Sequence, residues 1–413
     1  MLAGVCVNYI SGLFIDRGEK KSKLALIVGI FIDVIFIGIF KYAGFIAETI
    51  NSFGFAVPVP NISLPIGISF YTFQSMSYLA DVYFGKVPAQ TSFKNLLLYI
   101  SMFPQLIAGP IVRYSTIAEE INDRRATKHD IAAGSFRFFV GLAKKVILAN
   151  QLSVISFALL DGELSALSTG GAWIGIFAFA MQIYFDFSGY SDMAIGMGRC
   201  MGFHFDENFD YPYISKSMTE FWRRWHISLE SFFRDYVYIP LGGNRRHHFV
   251  NVLIVWFLTG LWHGASWNFV IWGLFFGLII FIEKCTLLKV IDKIPGFIMH
   301  LYAVIVVTFS WCLFYFEDFG RLKEFLPLLV GRSVSIWDIM AKNQLLNNIW
   351  LIIAAVICCT PIGRGVGKVY KKLSLKVPPV AAVFKAAAAA ALLGLSTLLL
   401  IGATNNPFLY FRF

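Results

Sequence analysis

Apolar runs that are long enough, or nearly long enough, to cross about 30 Å of hydrocarbon recur along the whole chain. They lie at 24–47, 64–84, 136–160, 171–187, 249–282, 298–316, 349–359 and 377–403, with shorter ones at 2–15 and 96–112. Only 15% of the 413 residues are charged, whereas soluble domains carry about 25%. The pattern predicts an all-α, polytopic membrane protein with about ten or eleven membrane segments in one domain, residues 1–413.

Two of the apolar runs are interrupted, and irregular backbone at membrane depth requires protein or a cavity around its polar groups. The run 96–112 contains Pro104 and the pair Gly109-Pro110. It is either a segment that dips into the membrane and returns or a kinked helix at the interface. The run 249–282 is interrupted at 263–266. Basic flanks on both sides favour two half-helices that meet there, against the alternative of one long tilted helix.

The formal charge of +10 resides in short loops such as 17–23 and 364–376, which is the bias of cytoplasmic loops. We therefore expect the lipid bilayer as a partner and no nucleic acid. The six cysteines show no CxxC spacing, so we expect buried reduced thiols, without a disulfide framework or a metal site. The N-terminus has neither the basic region nor the cleavage site of a removable signal peptide.

Several polar residues lie inside or beside the apolar runs, where ionisable groups are costly. Lys144 and Lys145 are expected to extend toward the interface from a tilted helix. The stretch QIYFDFSGYSDMAIG contributes Asp186, Ser188, Tyr190, Ser191 and Asp192. These side chains either bond neighbouring backbone around a broken helix or line a polar cavity.

An amphipathic helix is predicted to begin near Thr219, in the sequence TEFWRRWHISLESFFRDYVYIPLGG. At 100° per residue its apolar face carries Met218, Phe221, Trp222, Trp225, Leu229 and Phe232, and its polar face carries the charged residues and His226. Pro240 and the Gly242-Gly243 pair should end the helix. A membrane-surface anchor is the generic interpretation, but the paired tryptophans and the mixture of acids and arginines favour packing against protein.

Two histidines need an explanation, His226 on this helix and His263 within the interrupted apolar run. Burial keeps an imidazole neutral and able to accept a proton. Such a group suits general-base activation of a hydroxyl, which is typically worth about 10²–10⁴-fold in rate. A structural role is the alternative for one buried histidine. Two on neighbouring elements, with arginines and Asn268 nearby, favour a functional site.

These stretches resemble the membrane-bound O-acyltransferases, and within them the bacterial branch containing the alginate O-acetyltransferase membrane subunit. The resemblance runs from about Lys41 to Phe413 and rests on MTEFWRRWHISLESFFRDYVYIPLGG, LTGLWHGASWNFVIWGLFFG, QIYFDFSGYSDMAIG and NNPFLYFRF. It implies re-entrant or half helices around a central tunnel, with His263 of WHG as the catalytic residue and His226 of RRWH also at the tunnel. Relatives usually have further hydrophobic sequence before the part matching Met1–Ile15, so this chain is expected to be short at its N-terminus.

The resemblance implies acetyl transfer in the bacterial cytoplasmic membrane. The expected donor substrate is a thioester, and acetyl-CoA is the compound expected. We expect no bound cofactor and no metal in the protein. An extracytoplasmic partner protein would pass the acetyl group to a polysaccharide. His263 would take the proton of the acceptor hydroxyl, while His226, Asn268 or nearby arginines stabilise the oxyanion or hold the donor. The candidate substrate-binding residues are Arg223, Trp225, Arg234, Asp235, Asn268 and Asp186.

Two other functions remain open from the sequence. D-Alanyl transfer to teichoic acid from a carrier-protein thioester uses similar histidine motifs, although GASWNFVIWG favours the alginate-like branch. A proton-coupled transporter or flippase could use His263 and Asp186 as relay sites. Such proteins often contain inverted repeats, and we find no internal repeat in this sequence.

Overall fold

The structure is a computed structural model that describes residues 1–17, 22–107, 109–401 and 408–409. Within these ranges every regular element is a helix, and the only extended pairing is an isolated bridge between Phe209 and Trp225. The predicted all-α class is therefore confirmed. The loop lysines Lys20 and Lys21, and all of the closing NNPFLYFRF stretch except residues 408 and 409, lie outside the described residues.

The helices follow one another along the chain, with the longer connections at 53–67, 201–217 and 234–247. In order they are α1 (Leu2–Asp16), α2 (Ser22–Ser52), α3 (Ile68–Tyr83), α4 (Phe93–Ser101), α5 (Phe103–Leu106), α6 (Tyr114–Asn122), α7 (Lys128–Leu160), α8 (Thr169–Cys200), α9 (Met218–Arg224), α10 (Ile227–Phe233), α11 (His248–His263), α12 (Trp267–Cys285), α13 (Gly296–Tyr315), α14 (Phe319–Leu329), α15 (Ile339–Asn347), α16 (Ile349–Cys358), α17 (Ile362–Lys376) and α18 (Pro378–Leu400). Wider π-type turns lie within α2 at Gly38–Tyr42 and within α7 at Lys144–Ala149, and another follows α10 at Arg234–Tyr238.

Six of the described helices are long and apolar enough to cross a membrane, namely α2, α7, α8, α12, α13 and α18. The pair α15 and α16, bent by 61°, is a seventh candidate. The polytopic membrane architecture is thus confirmed. The other predicted segments are shorter or interrupted helices: α1, α11, α3, and the run 96–112, which is divided between α4 and α5.

Helix α8 forms the buried centre of the molecule and packs antiparallel to α7. Glycines allow this close approach: a Cβ on Gly141 would lie 2.5 Å from the carbonyl oxygen of Gly189, and one on Gly134 would lie 2.5 Å from that of Gly196. Small residues are typical where helices pack closely within membranes. Helix α8 runs unbroken through the polar stretch around Asp186, so the broken helix considered from the sequence is absent.

The lysines of α7 do not extend toward an interface as predicted, because acids on α8 pair with them. Lys144 Nζ lies 2.7 Å from Asp192 Oδ2, and Lys145 Nζ donates to Asp186 Oδ1. Asp186 also accepts the backbone amide of Leu409 at 2.7 Å. Burying charge is costly unless it is paired, and these partners on the neighbouring helix satisfy that requirement.

Helices α11 and α12 form an antiparallel hairpin whose turn is Gly264–Ser266. A Cβ on Gly260 would lie 2.3 Å from the carbonyl oxygen of Phe269, and one on Gly273 would lie 2.2 Å from that of Trp256. The predicted break is therefore confirmed, and the single tilted helix is excluded. His263 is the last residue of α11, at the tip of the hairpin.

Helix α3, within the run 64–84, lies almost entirely in the core, with Gln74 and Asp81 buried. Two other expectations from the sequence are corrected by the fold. The predicted basic loop 364–376 is part of the exposed helix α17. Only two of the six free cysteines, Cys312 and Cys359, are buried, because the others lie on outward-facing or partly covered helix positions.

Candidate active site

A cavity of about 570 Å³ lies between α9, α10 and the α11–α12 hairpin. Among its lining residues, Arg223 and Arg234 are exposed, whereas Trp222, Trp256 and His226 are buried. The cavity therefore extends from a cationic surface to an aromatic wall that contains one histidine. This combination suits a ligand with an anionic end and an apolar or neutral end.

Helix α9 is fixed at its N-terminus by a carboxylate of α12. Glu283 accepts the backbone amides of Met218 at 2.6 Å and Thr219 at 2.8 Å, and also the Thr219 hydroxyl at 2.7 Å. The first amides of a helix lack partners within it and favour a negative charge. Glu283 thus ties α9 to α12 and places Trp222 at the cavity. Its role was not predicted from the sequence, although a lone acid in an apolar run was an available signal.

The predicted amphipathic helix is interrupted at His226. This residue has φ 48° and ψ 53°, in the left-handed region, and it separates α9 from α10. Histidine is among the non-glycine residues enriched in this conformation. This left-handed backbone conformation directs the His226 side chain inward, and only 2% of the residue is exposed. The predicted place on a charged outer face is therefore wrong, because helical periodicity does not continue through the break.

The His226 side chain contacts both polar and aromatic groups. Its Nδ1 lies 3.4 Å from Ser228 Oγ, and its ring lies 5.6 Å from the ring of Trp262, measured between centroids. Burial lowers the pKa of His226 to about 3. The imidazole is therefore neutral at physiological pH, and as a lining residue of the cavity it can exchange a hydrogen bond with a ligand.

His263 is also buried, with 6% of the residue exposed. Its ring packs at 5.0 Å from Trp262, 5.0 Å from Trp272 and 5.6 Å from Phe314. Its Nε2 has no hydrogen-bond partner among the described residues. Buried polar atoms are seldom left unpaired, and those at functional sites are a recognised exception. His263 is not among the residues that line the cavity.

Tryptophans connect the two histidines. The Trp262 ring contacts both His226 and His263. On the other side, Trp222 of the cavity wall lies 5.5 Å from Trp272, which in turn contacts His263. The indole nitrogens of Trp222 and Trp272 have no hydrogen-bond acceptor within the described part of the chain. One aromatic layer, containing two such N–H donors, therefore separates the cavity from His263.

Helix α2 holds the end of α11 by two consecutive side chains. Lys41 Nζ donates to the carbonyl oxygen of Trp262, and the Tyr42 hydroxyl donates to that of Leu261 at 2.7 Å. The last carbonyls of a helix lack partners within it and favour a cation. These contacts therefore fix the turn that carries His263. They were not predicted from the sequence, because no local pattern pairs residues more than 200 positions apart.

The structure distributes the six predicted substrate-binding residues between the cavity and its surroundings. Arg223 and Arg234 line the cavity. Asp235 pairs with Arg113 at 2.8 Å beside it, and the pKa of Asp235 is lowered because hydrogen bonds from Arg234 and Arg113 outweigh the opposing effect of burial. These residues are brought together at the cationic end of the cavity.

The other three predicted residues lie away from the lining of the cavity. Trp225 packs 5.1 Å from Trp311 within the aromatic core. Asn268 is buried after the hairpin turn, where its Oδ1 accepts from Ser266. Asp186 is engaged by Lys145, as described above. Within the residues that the structure describes, no three His, Cys, Asp or Glu side chains converge on a possible metal position.

The matched family model is that of the membrane-bound O-acyltransferases, and it covers residues 68–322. Both histidines and the whole cavity lie inside that range, whereas Lys41 and Tyr42 lie outside it. The region of similarity therefore includes the whole site built from α9 to α12.

Three relatives illustrate the range of similar proteins. The chain is 43% identical over 333 residues to the probable alginate O-acetylase AlgI of Azotobacter vinelandii, covering 77% of this chain and 66% of that protein. It is 32% identical over 387 residues to the peptidoglycan O-acetyltransferase of Helicobacter pylori, covering 84% and 73%. It is 28% identical over 281 residues to the teichoic acid D-alanyltransferase of Bacillus subtilis, covering 64% and 70%. The chain thus spans slightly less than two thirds of the alginate O-acetylase that it matches.

Proposed function

The chain belongs to the membrane-bound O-acyltransferase family, and from that premise we propose that it transfers an acetyl group from a thioester to a hydroxyl acceptor. The observation that carries the proposal is the unpartnered Nε2 of buried His263 among the described residues, one aromatic layer from a cavity lined by His226. A neutral imidazole can accept a proton from an acceptor hydroxyl that comes within hydrogen-bond distance of this nitrogen. By analogy with the alginate O-acetylase and the peptidoglycan O-acetyltransferase, the proposed acceptor is a polysaccharide. The family resemblance supports an acceptor outside the cytoplasm.

The proposed reaction uses His263 as the general base. Its imidazole takes the proton of the acceptor hydroxyl while the oxygen attacks the thioester carbonyl carbon. The new C–O bond forms and the C–S bond breaks, and the imidazolium returns the proton to the departing thiolate. The indole N–H groups of Trp222 and Trp272 are candidates for stabilising the oxyanion, since both are buried donors without an acceptor among the described residues.

The donor proposed is acetyl-CoA, entering the cavity from the cytoplasm. Support comes from Arg223, which lines the exposed end of the cavity and suits a phosphate of a nucleotide. The other exposed arginine there, Arg234, is paired with Asp235 at 2.7 Å and with the lining residue Glu230 at 3.7 Å. The family resemblance supports a bacterial cytoplasmic membrane location and a separate extracytoplasmic protein that completes delivery to the polymer. No bound cofactor or metal is required by this reaction.

Arg223 lines the cavity and has no ion-pair partner among the described residues. The Arg223→Ala variant should raise KM for acetyl-CoA about tenfold, the effect of losing one charge-assisted hydrogen bond, with a smaller change in kcat. The matched control is Arg224→Ala. Arg224 adjoins it but is engaged by Glu220 at 2.9 Å and Asp210 at 3.2 Å, away from the cavity lining.

The measurement is steady-state transfer by purified protein in bilayers, with acetyl-CoA and with acetyl-pantetheine as donors. Acetyl-pantetheine has no phosphates, so its KM should be the same in wild type and Arg223→Ala. An equal rise in KM for both donors would contradict a phosphate contact at Arg223.

D-Alanyl transfer is the second candidate function, favoured by the similarity to the Bacillus subtilis enzyme. Deletion of the gene in its host separates the two. We expect the O-acetyl content of the surface polysaccharide to fall to the level of a strain without O-acetylation, while ester-linked D-alanine is unchanged. Loss of D-alanine instead would establish the second function, and no change in either ester would refute both.

A further inference from the structure

We propose that Asn208 and Ser228 hold His226 in the tautomer protonated on Nδ1, so that Nε2 meets the ligand as a hydrogen-bond acceptor. The catalytic consequence of this tautomer rests on the proposed function, but the tautomer itself can be measured without an assay of acetyl transfer. It assigns positioning roles to Asn208 and Ser228. It also restricts the ligand group that faces His226 Nε2 to a hydrogen-bond donor, such as a hydroxyl, an amide N–H or a thiol.

The chain of hydrogen bonds begins at Asn208, which is 2% exposed. The backbone amide of Ser228 lies 3.2 Å from Asn208 Oδ1. A backbone amide can only donate, so the side-chain atom facing it must be the carbonyl oxygen rather than the nitrogen. The amide nitrogen then points the other way, where it donates to Ser191 Oγ at 3.0 Å. The hydrogen bonds at the oxygen and at the nitrogen of the Asn208 side-chain amide therefore agree on one orientation of that amide.

The Ser228 hydroxyl is the next link. Its oxygen lies 2.9 Å from the same Asn208 Oδ1, which can only accept, so the single hydroxyl proton is committed to Asn208. The backbone amide of Ile111 donates to Ser228 Oγ at 2.9 Å and occupies one of its two lone pairs. One lone pair remains. Toward any further neighbour, Ser228 can therefore act only as an acceptor.

That neighbour is His226 Nδ1, at 3.4 Å from Ser228 Oγ. An unprotonated Nδ1 would place two lone pairs against each other in a buried site, which is unfavourable. A protonated Nδ1 forms a hydrogen bond. A neutral imidazole carries one ring proton, so Nε2 then has the free lone pair. The order of donation is fixed from Ile111 and His226 through Ser228 to Asn208.

The backbone supports the same arrangement. The carbonyl oxygen of Asn208 accepts the amide of Ile227 at 3.0 Å, immediately after the left-handed residue His226. Its side chain is anchored through Ser191 to the central helix α8. Asn208 therefore stabilises both the conformation of the break and the tautomer. Residues in the left-handed region persist only where their surroundings hold them.

The tautomer changes the role available to His226. An oxyanion needs a hydrogen-bond donor, and neutral His226 in this form has no N–H on Nε2. His226 is thus a hydrogen-bond acceptor for the ligand. The donors near His263 remain the indole N–H groups of Trp222 and Trp272, which have no acceptor within the described part of the chain. The oxyanion role considered for His226 from the sequence is replaced by this assignment.

The test is ¹⁵N NMR of protein labelled in its histidine side chains and reconstituted in bilayers. The His226 signals are identified by their loss in His226→Asn. At neutral pH we expect a protonated Nδ1 and an unprotonated Nε2. A proton on Nε2 in the wild-type protein would overturn the proposal.

Two variants extend the test. Ser228→Ala removes the acceptor and should shift His226 at least partly to the Nε2–H form, while Ser228→Thr retains the hydroxyl and the wild-type signals. In transfer assays Ser228→Ala should lower kcat about tenfold with little change in KM, and Ser228→Thr should recover most of it. The wild-type spectrum remains decisive if Ser228→Ala does not fold. Wild-type signals in Ser228→Ala would also contradict the assignment.

The spectroscopic and kinetic results separate two kinds of failure. An Nδ1–H signal in wild type, together with unimpaired transfer by His226→Asn, would uphold the tautomer and refute a role of His226 in the proposed reaction. An Nε2–H signal in wild type, together with severely impaired transfer by His226→Asn, would refute the tautomer and uphold a role of His226 in the proposed reaction.

Discussion

Replacing His263 by Gln should reduce acetyl transfer by about 10²–10⁴-fold, the contribution typical of a general base. Glutamine is close to histidine in size, but its amide cannot accept a proton at neutral pH. His263→Ala should abolish transfer as well. Its interpretation is less direct, because the ring packs on Trp262, Trp272 and Phe314, and its removal leaves a cavity.

The measurement is the initial rate of label transfer from acetyl-CoA at equal amounts of membrane-inserted protein. His129→Gln serves as the matched control, because the side chain of His129 is 80% exposed on α7. KM for the donor should be nearly unchanged in His263→Gln, since His263 is not part of the cavity lining. Near-normal kcat in His263→Gln would show that another group takes the proton.

The hairpin that carries His263 could be predicted because its signals are local. Gly264 interrupts an apolar run, and basic residues flank both ends, so two short helices returning to one side follow from length and charge alone. The all-α class follows in the same way from the recurrence of such runs. Local patterns of this kind do not depend on knowing which helices are neighbours.

The parts that could not be predicted depend on residues far apart in the chain. The sequence predicts an interfacial position for Lys145 and does not predict its pairing with Asp186, because Asp186 lies 41 positions away on another helix. The contact of Lys41 with the carbonyl of Trp262 joins positions 221 apart. For Lys145 the cost of burying a charge was recognised from the sequence, but the group that offsets it was not. Pairing across helices requires their packing.

His226 was misplaced for a different reason. A 100° period continued from Thr219 predicts an outer position for this residue, but the single left-handed residue at 226 resets that period. No residue in the sequence requires the break, since histidine tolerates the left-handed region without demanding it. Both histidines were nevertheless identified as candidates, because an imidazole next to long apolar stretches is conspicuous whatever its exact orientation.

Replacing His226 by Asn should lower acetyl transfer severely, by about 10²-fold, while the protein still folds. Asparagine adopts the left-handed conformation readily, so this change removes the imidazole without opposing the backbone. The loss is expected because His226 is the only histidine among the described residues that line the cavity. Burial lowers the pKa of His226 to about 3, so this residue should cause no decline in wild-type activity across the neutral pH range.

The backbone contribution can be separated with His247, which has nearly the same geometry. His247 has φ 47° and precedes α11, as His226 with φ 48° precedes α10, but His247 is exposed. Alanine at either position meets the same left-handed strain, on the order of 1–2 kcal/mol. His247→Ala should therefore lose only this backbone contribution in a thermal unfolding assay and retain transfer, whereas His226→Ala should lose more stability because its ring is buried. Comparable transfer by His226→Asn and wild type would instead make His226 a structural residue, whose conformation serves only to turn the chain between α9 and α10.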